Sequence, residues 1–294
     1  MRHTRTLAGT AALTLALALA ACGDSGSDSS SGDKLAELQE KGTITVAFAG
    51  EEPYSFEEDG ELTGATIALH KKVFKEMGID EVKGVKTEWG ALIPGLKAGR
   101  YDAISAGMSI LPDRCKEADF GDPEIVYTTA LMVPEGNPKN LKDLDDVKKS
   151  GAKLTTMSGA IESDYAKALD IKATQVKSPQ DGMEAVTRGR SDVFALTGIS
   201  LRTMDEKNPD AKVEVTEPFV AVVDGKEQVG AGATVFKKGD DTLREAYNKE
   251  LAKITGDEKA YTDVIGEFGF TDAERPKGDL TTEQLCKGEL PDAE

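Results

Sequence analysis

Two stretches of this chain carry the same pattern 90 positions apart: Gly99-Arg100-Tyr101-Asp102-Ala103-Ile104-Ser105-Ala106-Gly107 and Gly189-Arg190-Ser191-Asp192-Val193-Phe194-Ala195-Leu196-Thr197-Gly198. A helical pattern precedes each. Residues 91–97 lead into the first, and a run ending at Arg188 leads into the second. The second helix opens at Ser178-Pro179-Gln180-Asp181, with serine as cap and proline in the first turn. Upstream, Thr43-Ile44-Thr45-Val46-Ala47-Phe48 reads as a buried strand. Residues 66–77 follow as a helix with Val73, Phe74 and Met77 on one face and Gly78 as its stop. Strand–helix alternation around both copies predicts two similar α/β lobes. His70 shares the apolar face of the 66–77 helix, which makes it a core-edge residue.

In open α/β sheets ligands sit beyond the carboxyl ends of the strands. The repeat therefore nominates Gly107, Met108 and Ser109 in one lobe and Thr197 with Gly198 in the other. A cleft between two such lobes is a natural site for a small molecule. Arg114 follows Ser109 by five positions and can fork two hydrogen bonds onto a carboxylate. The competing reading pairs Arg114 with Asp113 or Glu117 as a surface ion pair.

Composition narrows the chemistry. The 294 residues hold 53 acidic and 36 basic side chains, for a charge of −17. A surface so acidic repels phosphate backbones and excludes a nucleic-acid partner. Only two histidines exist, His3 and His70, so a Ser-His-Asp enzyme or a multi-histidine metal centre has little to be built from. No cofactor and no metal are expected.

The N-terminus reads as an address. Residues 1–22, MRHTRTLAGTAALTLALALAAC, begin with Arg2 and Arg5 and continue into a short apolar run ending Leu19-Ala20-Ala21-Cys22. The run falls short of the ~20 apolar residues that span a bilayer and has the build of a secretory signal. Its end resembles a bacterial lipoprotein signal, in which Cys22 is acylated and becomes the first mature residue. Residues 23–33, GDSGSDSSSGD, have the composition of a flexible leash. The expected layout is a signal peptide at 1–21, a lipidated tether at 22–41, a first lobe at 42–131 and 232–294, and a second lobe at 132–231. Removal of Arg2 and Arg5 leaves 34 basic against 53 acidic side chains, a charge of −19 on a protein held outside the cytoplasm. In that setting Cys115 and Cys286 can pair, and we read them as a structural disulfide, since a cysteine nucleophile has only His70 for a base.

The stretch AGRYDAISAGMSILPDR, followed by Asp119-Phe120-Gly121-Asp122-Pro123, resembles the family 3 extracellular solute-binding proteins of ABC importers. Pro53-Tyr54, Leu62-Thr63-Gly64 and Tyr247-Asn248 extend the resemblance over roughly residues 42–270. It implies a two-lobed, periplasmic-binding-protein-like fold of type II, with a ligand cleft and a two-strand hinge. It implies that Arg114 and the Ser109 region bind a ligand carboxylate while the ring of Tyr54 covers the ligand. Closure of the second lobe would bring in Ser158, Gly159, Ala160 and Thr197, and the chain would cross between lobes near 130–134 and 230–235. One departure matters. Amino-acid binders of this family carry an aspartate for the ligand ammonium where Thr197 stands, so an α-amino acid would lose its charge partner.

Trp89, in Glu88-Trp89-Gly90-Ala91-Leu92-Ile93-Pro94-Gly95-Leu96, can build aromatic walls with Tyr54, which suit delocalised or methylated cations; its other reading is a buried core tryptophan. Glu51 and Glu52 beside Tyr54 either add negative potential or form a solvated turn. WGALIPGLKAGRYD, Pro112-Asp113-Arg114-Cys115 and ALTG are most similar to the ectoine/hydroxyectoine-binding branch, in which Ser109 replaces a frequent third aromatic. The resemblance implies a monomeric lipoprotein that captures a small zwitterionic solute by hinge closure and hands it to an ABC permease. A polar amino-acid binder is the nearest alternative. An enzyme on the same fold, a dehydratase or lytic type, is the alternative of another class, and no acid–base pair stands out for it. A sensing ectodomain normally continues into a transmembrane helix, and none follows here.

Overall fold

The structure, a computed structural model, describes residues 33–278 and 280–290. The residues expected to form the signal peptide, Cys22 and the glycine–serine leash as far as residue 32 lie outside the described residues. Residues 34–41, expected to belong to the tether, instead form helix α1 (Lys34–Lys41). Leu35 and Leu38 stand three apart on one face, and Leu38 is fully buried. Asp33 caps this helix by accepting from the Leu35 N–H.

The first lobe starts with β1 (Thr43–Phe48), the hairpin β2 (Phe56–Glu58) and β3 (Glu61–Thr63), helix α2 (Ala65–Glu76) and β4 (Glu81–Lys86). A 3-10 turn at Trp89–Ala91 leads into α3 (Leu92–Lys97), then β5 (Ala103–Ser109), α4 (Pro112–Glu117), β6 (Asp119–Phe120) and β7 (Ile125–Tyr127). The second lobe runs through β8 (Thr129–Pro134), α5 (Leu144–Ser150), β9 (Leu154–Met157), α6 (Ile161–Ala168) and β10 (Ala173–Val176). It continues with α7 (Pro179–Thr187), β11 (Val193–Thr197), α8 (Gly198–Lys207), β12 (Val213–Val215) and the hairpin β13 (Val222–Val223) and β14 (Lys226–Glu227). The chain returns to the first lobe with β15 (Gly230–Phe236), α9 (Asp241–Thr255), α10 (Glu258–Ile265) and α11 (Thr282–Lys287).

The first sheet has strand order β4-β1-β5-β15-β6, with β7 also on β15. The second has order β10-β9-β11-β8-β12. In each, the early strands are parallel, and the first strand after the chain arrives from the other lobe (β8 or β15) is antiparallel to its neighbour. The repeat read in the sequence has a physical basis. Gly99 and Gly189 take left-handed φ values of 68° and 66°, a conformation that ends each helix at low cost only for glycine. Asp102 and Asp192 then accept from the backbone N–H of Thr45 (2.9 Å) and Lys153 (2.7 Å), which pins each following strand to its neighbour. The strands β5 and β11 are buried along their whole length, as helix-covered parallel strands must be.

The crossings differ from expectation. Residues 130–134 belong to β8 inside the second sheet, and 230–235 belong to β15 inside the first. Ala130-Leu131-Met132-Val133 is wholly apolar and is stabilised by burial, while the chain changes lobe at Thr128 just before it. The two passages lie side by side: Tyr127 pairs with Gly230, and Thr129 bridges to Phe219. Cys115 of α4 and Cys286 of α11 form a disulfide with Cα atoms 5.6 Å apart. His70 is fully buried and its Nε2 lies 2.5 Å from Thr234 Oγ1, beside Glu124 and Tyr247, so its role is packing within the first lobe.

Candidate solute-binding cleft

The carboxyl ends of β5 and β11 face one another across the gap between lobes. A small cavity there is lined by Glu51, Tyr54, Trp89, Ala106, Gly107, Ser109 and Tyr127 from the first lobe and by Met157, Ala160, Ile161, Glu162, Leu196 and Thr197 from the second. Strand alternation sorts the β5 residues. Gly107 and Ser109 turn to the cavity, which Ala106 also borders, while Met108, expected beside them, is buried in the first-lobe core. Gly107 leaves room for the Tyr54 ring: a Cβ there would stand 2.7 Å from it.

Arg114 does not pair with its sequence neighbours. Asp113 is held by Lys116 and Glu117 by Lys97. Its guanidinium points into the cleft, donating to the Ser109 carbonyl (3.0 Å) and, across the lobes, to the Gly159 carbonyl (2.7 Å). Desolvation by the surrounding protein lowers its pKa. Trp89 lies alongside, its ring 5.8 Å from the guanidinium carbon, and its Nε1 donates to the same Gly159 carbonyl at 2.9 Å. The half-buried tryptophan packs against the cores of both lobes, so it is an interface residue and not an interior one. Ser158 stays exposed at the rim, with its N–H committed to the Val176 carbonyl; Gly159 is also exposed, and Ala160 lines the cavity.

A second set of contacts joins the lobes behind the arginine. Tyr54 donates to Thr197 Oγ1 (3.2 Å), Thr197 donates to Ser200 Oγ (3.0 Å), and Ser200 donates to Glu51 Oε1 (2.7 Å). Glu52 turns outward and pairs with Lys207 of α8 at 2.5 Å, so the two adjacent glutamates have separate roles. Ser109 leaves no hole where an aromatic was expected. The Tyr127 hydroxyl donates to Ser109 Oγ at 2.5 Å and its ring meets Tyr54 edge-on at 6.4 Å, which supplies a third aromatic from β7.

The sequence reading missed Tyr127, Ser200 and Glu162. Tyr127 and Ser200 were within reach, since one immediately precedes the lobe crossing and the other follows the second copy's glycine by two positions. Glu162 follows Ala160 by two positions but has no marker among 53 acidic residues. It is fully buried, and its Oε1 is 3.5 Å from the Thr129 hydroxyl. Burial, with the Glu51 charge adding, pushes the Glu162 carboxyl up to about 8. Burial raises Glu51 to about 7, with the Ser200 hydrogen bond partly opposing it.

The hollow enclosed by these residues measures about 20 Å³, close to the space of one water. The protein's own groups occupy the closed cleft, and a larger solute enters only when the lobes part. A two-lobed α/β receptor that closes on a small solute is the class defined by this fold and cleft. Residues 44–262 match the bacterial extracellular solute-binding proteins, family 3, and the chain belongs to that family, the solute-binding components of ABC importers. The probable amino-acid ABC transporter periplasmic-binding protein y4tE of Sinorhizobium fredii (strain NBRC 101917 / NGR234) is 32% identical over 86% of this chain and 85% of its own. The arginine-binding extracellular protein ArtP of Bacillus subtilis (strain 168) is 26% identical over 83% of this chain and 89% of its own. Among solved structures, that of EhuB in complex with hydroxyectoine superposes with a TM-score of 0.75 at 33% identity, covering 86% of this chain and 98% of that one. Among the described residues, no helix is long and apolar enough to cross a membrane.

The two raised carboxyls make the closed, solute-free form proton-dependent. Their closed-form pKa values exceed the ordinary 4.5, so the advantage of closure is complete below that value and is lost as pH rises through about 7 and 8. We expect the melting temperature of the solute-free protein to fall by roughly 5 °C between pH 5.5 and 8.5. A Glu51→Gln, Glu162→Gln double variant should show a flatter profile; an unchanged slope would assign it to other groups.

Proposed function

We propose that this protein is a lipid-anchored receptor that captures a small zwitterionic solute, ectoine or hydroxyectoine, and presents it to an ABC permease. The observation that carries the reading is the Arg114 guanidinium beside Trp89, bonded across the lobes to the Gly159 carbonyl, together with a cavity lined by Trp89, Tyr54, Tyr127, Glu51 and Glu162. The arginine fork takes the solute carboxylate, exchanging the Gly159 carbonyl for it as the lobes open and reclose. The aromatic faces and the two glutamates take the cationic ring, at ~0.5–2 kcal/mol for each aromatic contact. Thr197 supplies no charge for an α-ammonium, which disfavours the general amino-acid reading. Support for the solute comes from the likeness to the hydroxyectoine-bound structure at 33% identity. Acylation of Cys22, release of residues 1–21 and the tether behind them place the receptor on the outer face of the membrane as a monomer.

Trp89 is the only tryptophan and bridges the lobes, so its fluorescence reports closure directly. We expect a saturable change with ectoine and hydroxyectoine. If a panel of L-amino acids titrates and the ectoines do not, the osmolyte assignment fails and the polar amino-acid reading stands. A second reading has its own observation: Glu51 and Glu162, titrating near neutrality beside an arginine, form the acid–base pair that an enzyme on this fold requires. Recovery of a bound solute chemically unchanged after prolonged incubation would exclude it.

A further inference from the structure

Glu162 is the one carboxylate lining the cavity with an oxygen left over. Its side chain is fully buried in the first turn of α6, and Oε2 has no hydrogen-bond partner. Its Oε1 meets the distant Thr129 hydroxyl at 3.5 Å, and the residue's own backbone N–H also acts on the carboxylate. An acceptor buried and unpaired is costly, more so when charged, so a protein that keeps one gains something when it is filled. The groups acting on it from the surrounding elements are Glu51, Tyr54 and Tyr127 of the first lobe, Arg114 of α4, Thr129 of β8, and Tyr165 and the Glu162 backbone N–H of its own helix. Arg114 is the only cation among them, and its donors go to the Ser109 and Gly159 carbonyls. Glu51, in contrast, already accepts from Ser200. The vacant acceptor therefore sits in the second lobe, on the same side of the cleft as Thr197 but on a different element.

We propose that Glu162 Oε2 accepts an N–H of the solute's cationic group and is the second lobe's specificity-determining carboxylate, in place of an acidic side chain at the end of β11. The assignment rests on the zwitterionic-solute reading above and names the group that holds the positive end. Closing on the solute then proceeds in balanced steps. The Glu162 carboxyl releases its proton to solvent, the carboxylate accepts the solute N–H, and Arg114 neutralises the other end of the molecule. Because Glu162 lies on the moving lobe, its bond forms only on closure, so it selects for solutes that carry both charges.

Titration calorimetry with ectoine, hydroxyectoine and a panel of L-amino acids on wild type and Glu162→Gln chains tests this. The glutamine variant keeps the shape and removes the charge; its melting temperature, unchanged or higher than wild type, confirms folding. Whichever solute binds wild type is expected to lose at least 10-fold in affinity in Glu162→Gln. Binding to wild type in buffers of different ionisation enthalpy should show net proton release near pH 7, and the variant should show less. Wild-type affinity for a Glu162 that binds the cation rises from pH 6 to 9, whereas the variant's profile is flatter. Equal affinity in wild type and Glu162→Gln, or identical proton release, overturns the assignment. If ectoines fail on wild type while an amino acid binds and still depends on Glu162, the solute reading falls and the Glu162 assignment survives.

Discussion

Replacing Arg114 with alanine is expected to lower solute affinity by at least ~100-fold while leaving the protein folded. The guanidinium is half-buried and already makes two hydrogen bonds to carbonyls, one in each lobe, which shows that its fork is held in a geometry suited to two acceptors. Charge-assisted bonds of this kind are worth ~1.5–3 kcal/mol each, and a solute carboxylate enclosed without its partner costs ~3–5 kcal/mol. Folding is spared because Arg114 packs at the cleft and not in either core. Lysine in its place keeps the charge but not the fork, and should recover only part of the loss. The alanine variant should also alter Trp89 emission in the solute-free protein, since the cation leaves the indole. Wild-type affinity in Arg114→Ala would remove the carboxylate clamp from the mechanism.

The second large effect concerns stability. The Cys115–Cys286 bridge closes a loop of 171 positions and fastens α11 to α4. In the chain-entropy account a loop of that length is worth about 5 kcal/mol at most, and ~3–5 kcal/mol is a realistic range. For a folded body of this size the melting temperature of a Cys286→Ser chain should fall by roughly 10 °C. Leu285, buried against the first lobe, should become exposed as α11 detaches. Proteolysis after residue 278 would read that release directly. Solute affinity should stay within about twofold of wild type, because α11 packs away from the lined cavity. A reduced protein that melts with the oxidised one would show that packing alone holds α11.

How much of this was legible beforehand depended on whether the signal was local. The strand at 43–48, the capped helix after Ser178 and the paired Gly-Arg-x-Asp turns each declare themselves within a few residues, and each forms as read. Arg114 and Trp89 are nominated by strand ends and neighbouring small residues; Trp89 lines the cavity, and Arg114, which does not, reaches across the lobes to the Gly159 carbonyl. Met108 failed because a strand alternates its faces, and the register that put Gly107 and Ser109 in the cleft put Met108 in the core. The lobe crossings failed because an apolar run says that a segment is buried, not which sheet buries it. Glu162 was illegible for a different reason. Its character comes from being enclosed by residues distant in sequence, and an acidic chain offers no contrast by which to notice one glutamate.

The Gly159 carbonyl, which accepts from both Arg114 and Trp89, makes the protein its own competitor. Any solute must displace an internal acceptor that is always at hand, so measured affinity equals intrinsic affinity scaled by the fraction of molecules with parted lobes. That fraction is set in part by ion pairs across the rim, Lys207 with Glu52 and Lys177 with Glu88. Residues that never touch the solute thereby act as a volume control on uptake, and substitutions there retune affinity without altering what is recognised.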